Sequence, residues 1–191
     1  MDKIQLKLQG VSDIYGKENI GVLMLCNLSE TLGISILCPK LIKDEVGGRM
    51  RKTNLHSLHA IDVLLIYVDR DMLKDHYVLF KSIHNGKYIA ELACDDCGEI
   101  TYDMLGEEAV ILAMAAGIPM YITRDLMAKQ ATPLLHGTGA MALPYNALTE
   151  DMLLDVMNTA VEREQYEMAS MIRNELNARE RADIDQDMES L

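Results

Sequence analysis

The chain is 191 residues long, carries a net charge of -12, and is 49% hydrophobic and 25% charged. That length buries one full-sized core with room for a small appendage, and that composition excludes a disordered or fibrous polypeptide. No stretch reaches the roughly eighteen uncharged residues of a membrane span and no apolar leader follows Met1, so the expectation is a cytoplasmic protein with no membrane contact. Its four cysteines, Cys26, Cys38, Cys94 and Cys97, are expected as reduced thiols, mostly acting as small hydrophobes inside strands.

Residues 3–9 alternate, with Ile4, Leu6 and Leu8 on one face and lysines and glutamines on the other, the pattern of a half-exposed strand. A polar turn over residues 15–19 leads to a more deeply buried strand at 20–26. After a turn at 27–31, Leu32, Ile34 and Ile36 begin a third. Pro39 suits the opening of a helix, where its missing N–H is not used, and Gly47 with Gly48 reads as that helix's cap or break. A second helix, capped by Thr53 or Asn54, sets Leu55, Leu58, Ile61 and Leu65 at helical spacing. Strands at 77–84 and 87–94 flank Asn85 and Gly86, residues that tolerate the positive φ of a tight hairpin turn.

A short strand over 100–104 leads into residues 107–129. There Ala109, Ile111, Leu112, Ala115 and Ala116 form a thin helix that Gly117 ends; Ile118, Met120 and Ile122 then alternate as a buried strand, and Arg124 and Asp125 turn into one more helical turn. Residues 131–148 lose periodicity and collect glycine and proline, so they read as a linker. Thr149 caps an amphipathic helix over 150–163, and a second helix runs over 165–179. Two such helices bury too little to stand alone and are expected to pack on the main body or on another chain.

Charge is unevenly shared. Residues 150–191 hold twelve Asp or Glu and four Arg, a balance of -8, which leaves -4 for residues 1–149. A field of that sign repels nucleic acid, so any contact with DNA or RNA needs a local basic patch. Lys40, Lys43, Arg49, Arg51 and Lys52 offer one, diluted by Asp44 and Glu45; a solvated helix face is the alternative reading.

Few other residues suggest chemistry. His56, His59 and Asp62 fall at i, i+3 and i+6 of one helix, so the histidines could share a metal with Asp62 at its edge, or simply face solvent or a hydrogen-bond partner. Glu107 and Glu108 open the alanine-rich helix, where acids suit the positive helix end whatever else they do. Cys94 and Cys97 have thiol-pair spacing, but the intervening aspartates oppose thiolate formation and extended chain follows. The run from His136 to Gly139 lacks the lysine of a phosphate-binding loop. Met152, Met157, Met168 and Met171 lie in the C-terminal helices, either as adaptable thioethers for a partner or as core filling.

The run LGISI at 32–36, His59, and AVILAMAAGIPMYI at 109–122 with Glu108 just before it, taken with the order of elements, resemble the bifunctional nuclease domain family over residues 1–130. The resemblance implies an α+β fold, a mixed or antiparallel sheet packed by helices, that assembles as a homo-oligomer. It also implies cleavage of DNA and RNA, with His59 and Glu108 as catalytic candidates, the Lys40, Lys43, Arg49, Arg51 and Lys52 patch on phosphate, and Mg or Mn as cofactor if the chain is active. Departures from the family pattern stand beside these matches: Lys40 replaces a glutamate, Ala60 an aspartate, and Leu55 and His56 an Arg-Pro pair. Phosphodiester cleavage needs carboxylates for a metal, or an acid and base, and a cation for the developing charge. A non-catalytic oligomeric scaffold is therefore the alternative.

Residues 160–176, AVEREQYEMASMIRNEL, resemble the UVR motif of excision-repair and chaperone-associated proteins, with Tyr166, Glu167, Ala169, Ile172 and Arg173 in matching places. That resemblance implies a helical hairpin at 149–182, ahead of an acidic tail at 183–191, that docks on another copy or a protein partner through Tyr166, Ala169, Ile172 and Arg173. Ala169 would admit a neighbouring helix, and Arg173 would offer a forked contact to a carboxylate such as Glu162.

Overall fold

The computed structural model describes residues 2–14, 16–51, 59–68, 70–95, 102–134 and 143–189. The fold is α+β: a mixed eight-stranded sheet in the order β6-β5-β4-β7-β1-β2-β3-β8, packed by helices and followed by a helical hairpin. Strands β1 (Lys3–Ile14), β2 (Lys17–Asn27) and β3 (Leu32–Pro39) form an antiparallel meander. β1 and β2 are longer than their apolar alternation suggests. Backbone pairing continues through Asp13↔Gly21 to Ile14↔Lys17, past register shifts between Leu8 and Gly10 and between Asp13 and Ile14, so Lys17 to Asn19, expected within a turn, are strand.

β4 (His76–His84) and β5 (Lys87–Cys94) form the expected hairpin, with short β6 (Asp103–Leu105) beyond. β7 (Met120–Thr123) joins the two groups, antiparallel to β1 and parallel to β4. β8 (Thr132–Pro133) pairs with the start of β3 at the sheet edge. Part of the segment expected as linker is thus sheet, and a 3-10 turn at Tyr145–Ala147 buries Ala147 and Leu148. Single anchoring turns carry no periodicity, which is why the sequence concealed them.

Helix α1 (Lys40–Arg51) follows Pro39 directly. Gly47 and Gly48 neither cap nor break it, contrary to expectation: both are buried inside it, and a Cβ on Gly47 would meet Val11 of β1 at 3.1 Å. The glycines thin the helix where it crosses the strand. α2 (Ala60–Tyr67) begins after His59, with residues 53–58, its expected cap and first turn, outside the described residues.

α3 (Gly106–Ala116) buries Ala109, Val110, Ile111 and Ala113, and ends as expected at Gly117, whose φ of 71° lets its N–H bond Ala113 O. The next amide, Ile118 N, also bonds Ala113 O, so β7 starts two residues later than the alternation suggests. α4 (Arg124–Gln130) is capped by the Thr123 hydroxyl, which accepts from Leu126 N at 3.3 Å. The main core gathers Leu23, Leu25, Ile34, Ile36, Val78, Phe80, Tyr88 and Ile122 from the strands with Val46, Ala109 and Val110 from α1 and α3.

α5 (Glu150–Glu162) and α6 (Tyr166–Glu189) form the hairpin. A second apolar cluster joins Met152, Leu153 and Ile172 of the hairpin to Val22 of β2, Leu37 of β3 and Leu148. Val22 and Leu37 are opposite neighbours in the β2–β3 register and alternate with Leu23 and Ile36 of the main core, so the hairpin covers the opposite sheet face from α1 and α3. No helix among the described residues is long and apolar enough to cross a membrane.

The β4–β5 turn also supports this second layer. Asn85 and Gly86 both have positive φ, 47° and 76°, as a tight primed turn requires, and a Cβ on Gly86 would lie 2.5 Å from Leu148 O. Gly86→Ala is expected to destabilise the protein by about 2 kcal/mol, from left-handed strain plus displacement of Leu148. An Asn85→Ala variant meets the first cost without the clash, and comparing the two denaturant midpoints checks the assignment.

Candidate functional site

Glu45 and Arg49 stand one turn apart on α1, and the guanidinium reaches both its own helix and the next. Arg49 donates to Glu45 Oε1 from Nε at 3.1 Å and from Nη2 at 2.9 Å. It also grips Asp62 with two bonds, Nη1 to Oδ1 at 2.9 Å and Nη2 to Oδ2 at 2.8 Å. Asp62, three residues into α2 from its cap, also accepts from the backbone N–H of His59 at 3.0 Å. His59 Nδ1 lies 3.6 Å from Glu45 Oε2. The Arg49, Glu45 and Asp62 side chains are 14%, 12% and 22% exposed, so solvent screens the cluster little. Hydrogen bonds from Arg49, reinforced by the His59 N–H, hold the Asp62 carboxyl below its ordinary range.

His59 is therefore the residue that caps α2 rather than one within it; His56 lies outside the described residues. The place between the Glu45 and Asp62 carboxylates that a divalent cation would take is filled by a guanidinium. No group of three or more His, Cys, Asp or Glu able to hold a metal ion occurs among the described residues. These residues do not fit Mg or Mn.

Glu108 is exposed on the first turn of α3, and no ion pair or hydrogen bond among the described residues joins it to His59. Its neighbour Glu107 is buried, and that burial raises its carboxyl pKa. The five basic candidates divide. Arg49 serves the cluster above, and Lys43 is buried, its ammonium 2.6 Å from Asp13 and 2.9 Å from Asp44, its stem lying where a side chain on Gly21 would be. Lys40 and Arg51 are exposed, and Lys52 lies outside the described residues. Two of the cations expected on phosphate are already matched by carboxylates.

The hairpin residues divide too. Ile172 is fully buried against the sheet, Ala169 is half-buried, and Tyr166 and Arg173 are exposed. Arg173 makes no ion pair with Glu162 or any other described residue. Arg179 holds the hairpin instead: Nη1 donates to Leu148 O at 2.9 Å, Nη2 to Asn146 O at 3.1 Å, and Nε to Glu175 Oε1 at 3.0 Å. Lys17 of β2 adds a 2.5 Å pair with Asp155 of α5. Sequence reading missed Arg179, although the Glu175–Arg179 spacing of four was a signal. It also treated Glu45 only as a diluent of positive charge.

Among the described residues thiols give no alternative centre. Cys26 and Cys38 are free and buried, and burial pushes the Cys38 thiol up to about 12, far from a reactive thiolate. Cys94 is disulfide-bonded, which corrects the expectation of a reduced thiol there. A groove of about 670 Å³ lies near the ends of β4 and β7; of its three cations Lys81 and Arg124 are paired with Glu91, Asp103 and Asp2, while Lys129 is exposed and makes no ion pair with a described residue. No protein-family model matches the chain, and no curated protein matches its sequence.

Proposed function

We propose that this protein is a non-catalytic, homo-oligomeric scaffold on a nuclease-like fold that recruits a protein partner through the outer face of its C-terminal hairpin. The observation that carries this reading is the way the hairpin divides its apolar residues. Met152, Leu153 and Ile172 fasten it to the sheet, while Val161, Tyr166 and Met171 remain exposed around its far turn with Arg173 beside them. Tyrosine, methionine and arginine on a rigid support are favoured anchors of protein interfaces. The partner residues named from the UVR resemblance are thereby narrowed to Tyr166 and Arg173 at the contact, with Ile172 and Ala169 beneath them as support.

The family resemblance to a bifunctional nuclease makes hydrolysis the competing reading, and the Arg49 network argues against it. Metal-dependent cleavage needs carboxylates free to hold the ion, whereas the Glu45 and Asp62 carboxylates grip a guanidinium.

The test is direct. Purified protein incubated with single-stranded DNA or RNA and magnesium or manganese is expected to leave both polymers intact. Metal-dependent cleavage that disappears in His59→Ala would overturn the scaffold reading and restore the nuclease. A partner retained by the wild-type chain and lost with Tyr166→Ala, at unchanged thermal stability, is the positive counterpart.

A further inference from the structure

α2 is apolar on the side that faces water. Its sequence, AIDVLLIY, holds one charge, Asp62, and none of its residues is buried. Ile61, Asp62 and Leu65 are the partly covered positions, turned toward the body. Ala60, Val63, Leu64 and Tyr67 recur at i, i+3, i+4 and i+7 on the exposed side, with Leu64 63% and Tyr67 86% exposed. Ile66 at 68% and Met72 at 70%, in the 3-10 turn Arg70–Leu73, widen the surface. An apolar stripe at that spacing normally faces a core or another helix, and a helix apolar on both sides is normally buried. Here one side meets the body and the other meets none of the described residues.

We propose that this outward stripe is where a second copy of the chain docks, α2 against α2 across a two-fold axis. The inference rests on the homo-oligomeric part of the reading above and names its surface. Two observations select a second copy. A stable interface takes roughly 800 Å² from each partner, and Val63, Leu64, Ile66, Tyr67, Val68 and Met72 together present apolar area of that order. The chain carries a net charge of -12, so two copies repel one another except where the surface is uncharged. The outward side of α2 is such a place, because the one charged residue of the helix, Asp62, is turned inward onto Arg49. An isologous contact sets the same stripe on both subunits and closes at the dimer, so no apolar surface is left to propagate.

Sedimentation equilibrium of the full-length protein at tens of micromolar tests this. The wild type is expected at twice the 21.4 kDa chain mass, and Leu64→Glu at the single-chain mass with dissociation raised at least about tenfold. Leu28→Glu, an equally exposed leucine in the β2–β3 turn, serves as control and is expected to remain dimeric. Should Leu64→Glu fail to fold, Leu64→Cys supplies the readout, since cysteines facing one another across the axis cross-link on oxidation. A wild type at single-chain mass overturns both the docking and the homo-oligomer. A dimer that survives Leu64→Glu, or whose Leu64→Cys form does not cross-link, overturns α2 as the surface and leaves hairpin recruitment untouched.

Discussion

Replacing Arg49 with methionine is expected to cost about 3 kcal/mol of folding stability, because it strands two poorly exposed carboxylates while keeping most of the side chain's packing. In the native protein Arg49 closes a bridge from α1 to the first turn of α2, and among the described residues only His59, through its N–H, shares in compensating the Asp62 charge. The loss should depend on pH in a definite direction. Asp62 has its carboxyl pKa lowered on folding, so the stability it contributes is present above its unfolded value of about 4 and is lost as pH falls through the lower folded value. Chemical denaturation of wild type and Arg49→Met should therefore show a gap of about 3 kcal/mol near neutrality that narrows below about pH 4. A gap that stays constant down to pH 2 would remove the ion pair as its cause.

Ile172→Ala should cost a comparable amount, about 3 kcal/mol, through a different mechanism. Ile172 is fully buried in the cluster that joins α6 to Val22 and Leu37, so truncation leaves a cavity between the hairpin and the sheet rather than within the main core. Amide exchange should accelerate throughout α5 and α6 and at Leu148, while β4, β5 and α3 keep their protection. Uniform acceleration across the chain would mean that the hairpin and sheet unfold as one unit. Unchanged exchange in α5 and α6 would mean that the hairpin does not depend on this seam.

Much of this arrangement could be read from residues alone where a local rule decided the outcome. Asn85-Gly86 demanded a positive-φ turn, Gly117 a left-handed helix end and Thr149 a cap, and all three occur as expected. Where tertiary contact decided, local rules misled. Gly47 and Gly48 looked like a helix stop because glycine is a poor helix former, yet a strand crossing close by requires small residues there. Residues 147 and 148 lack periodicity because a single turn anchors them.

The candidate site was legible only in part. His59 and Asp62 were singled out, but their organiser, Arg49, was assigned to phosphate because an isolated sequence gives the sign of a side chain and not its partner. The outward stripe of α2 escaped notice for a similar reason. The inward leucines and isoleucines satisfied the helical pattern first, and nothing in the spacing says which of two apolar sides a body will cover.

The placement of β7 bears on the order in which the polypeptide can be completed during synthesis. The meander over residues 3–39 and the hairpin group over residues 76–105 each pair locally, and in the strand order only Met120–Thr123 lies between them. A ribosome must therefore release four residues near position 120 before the earlier halves can be stitched into one continuous surface. Until then two raw strand edges, one on β1 and one on β4, face the crowded cell unprotected.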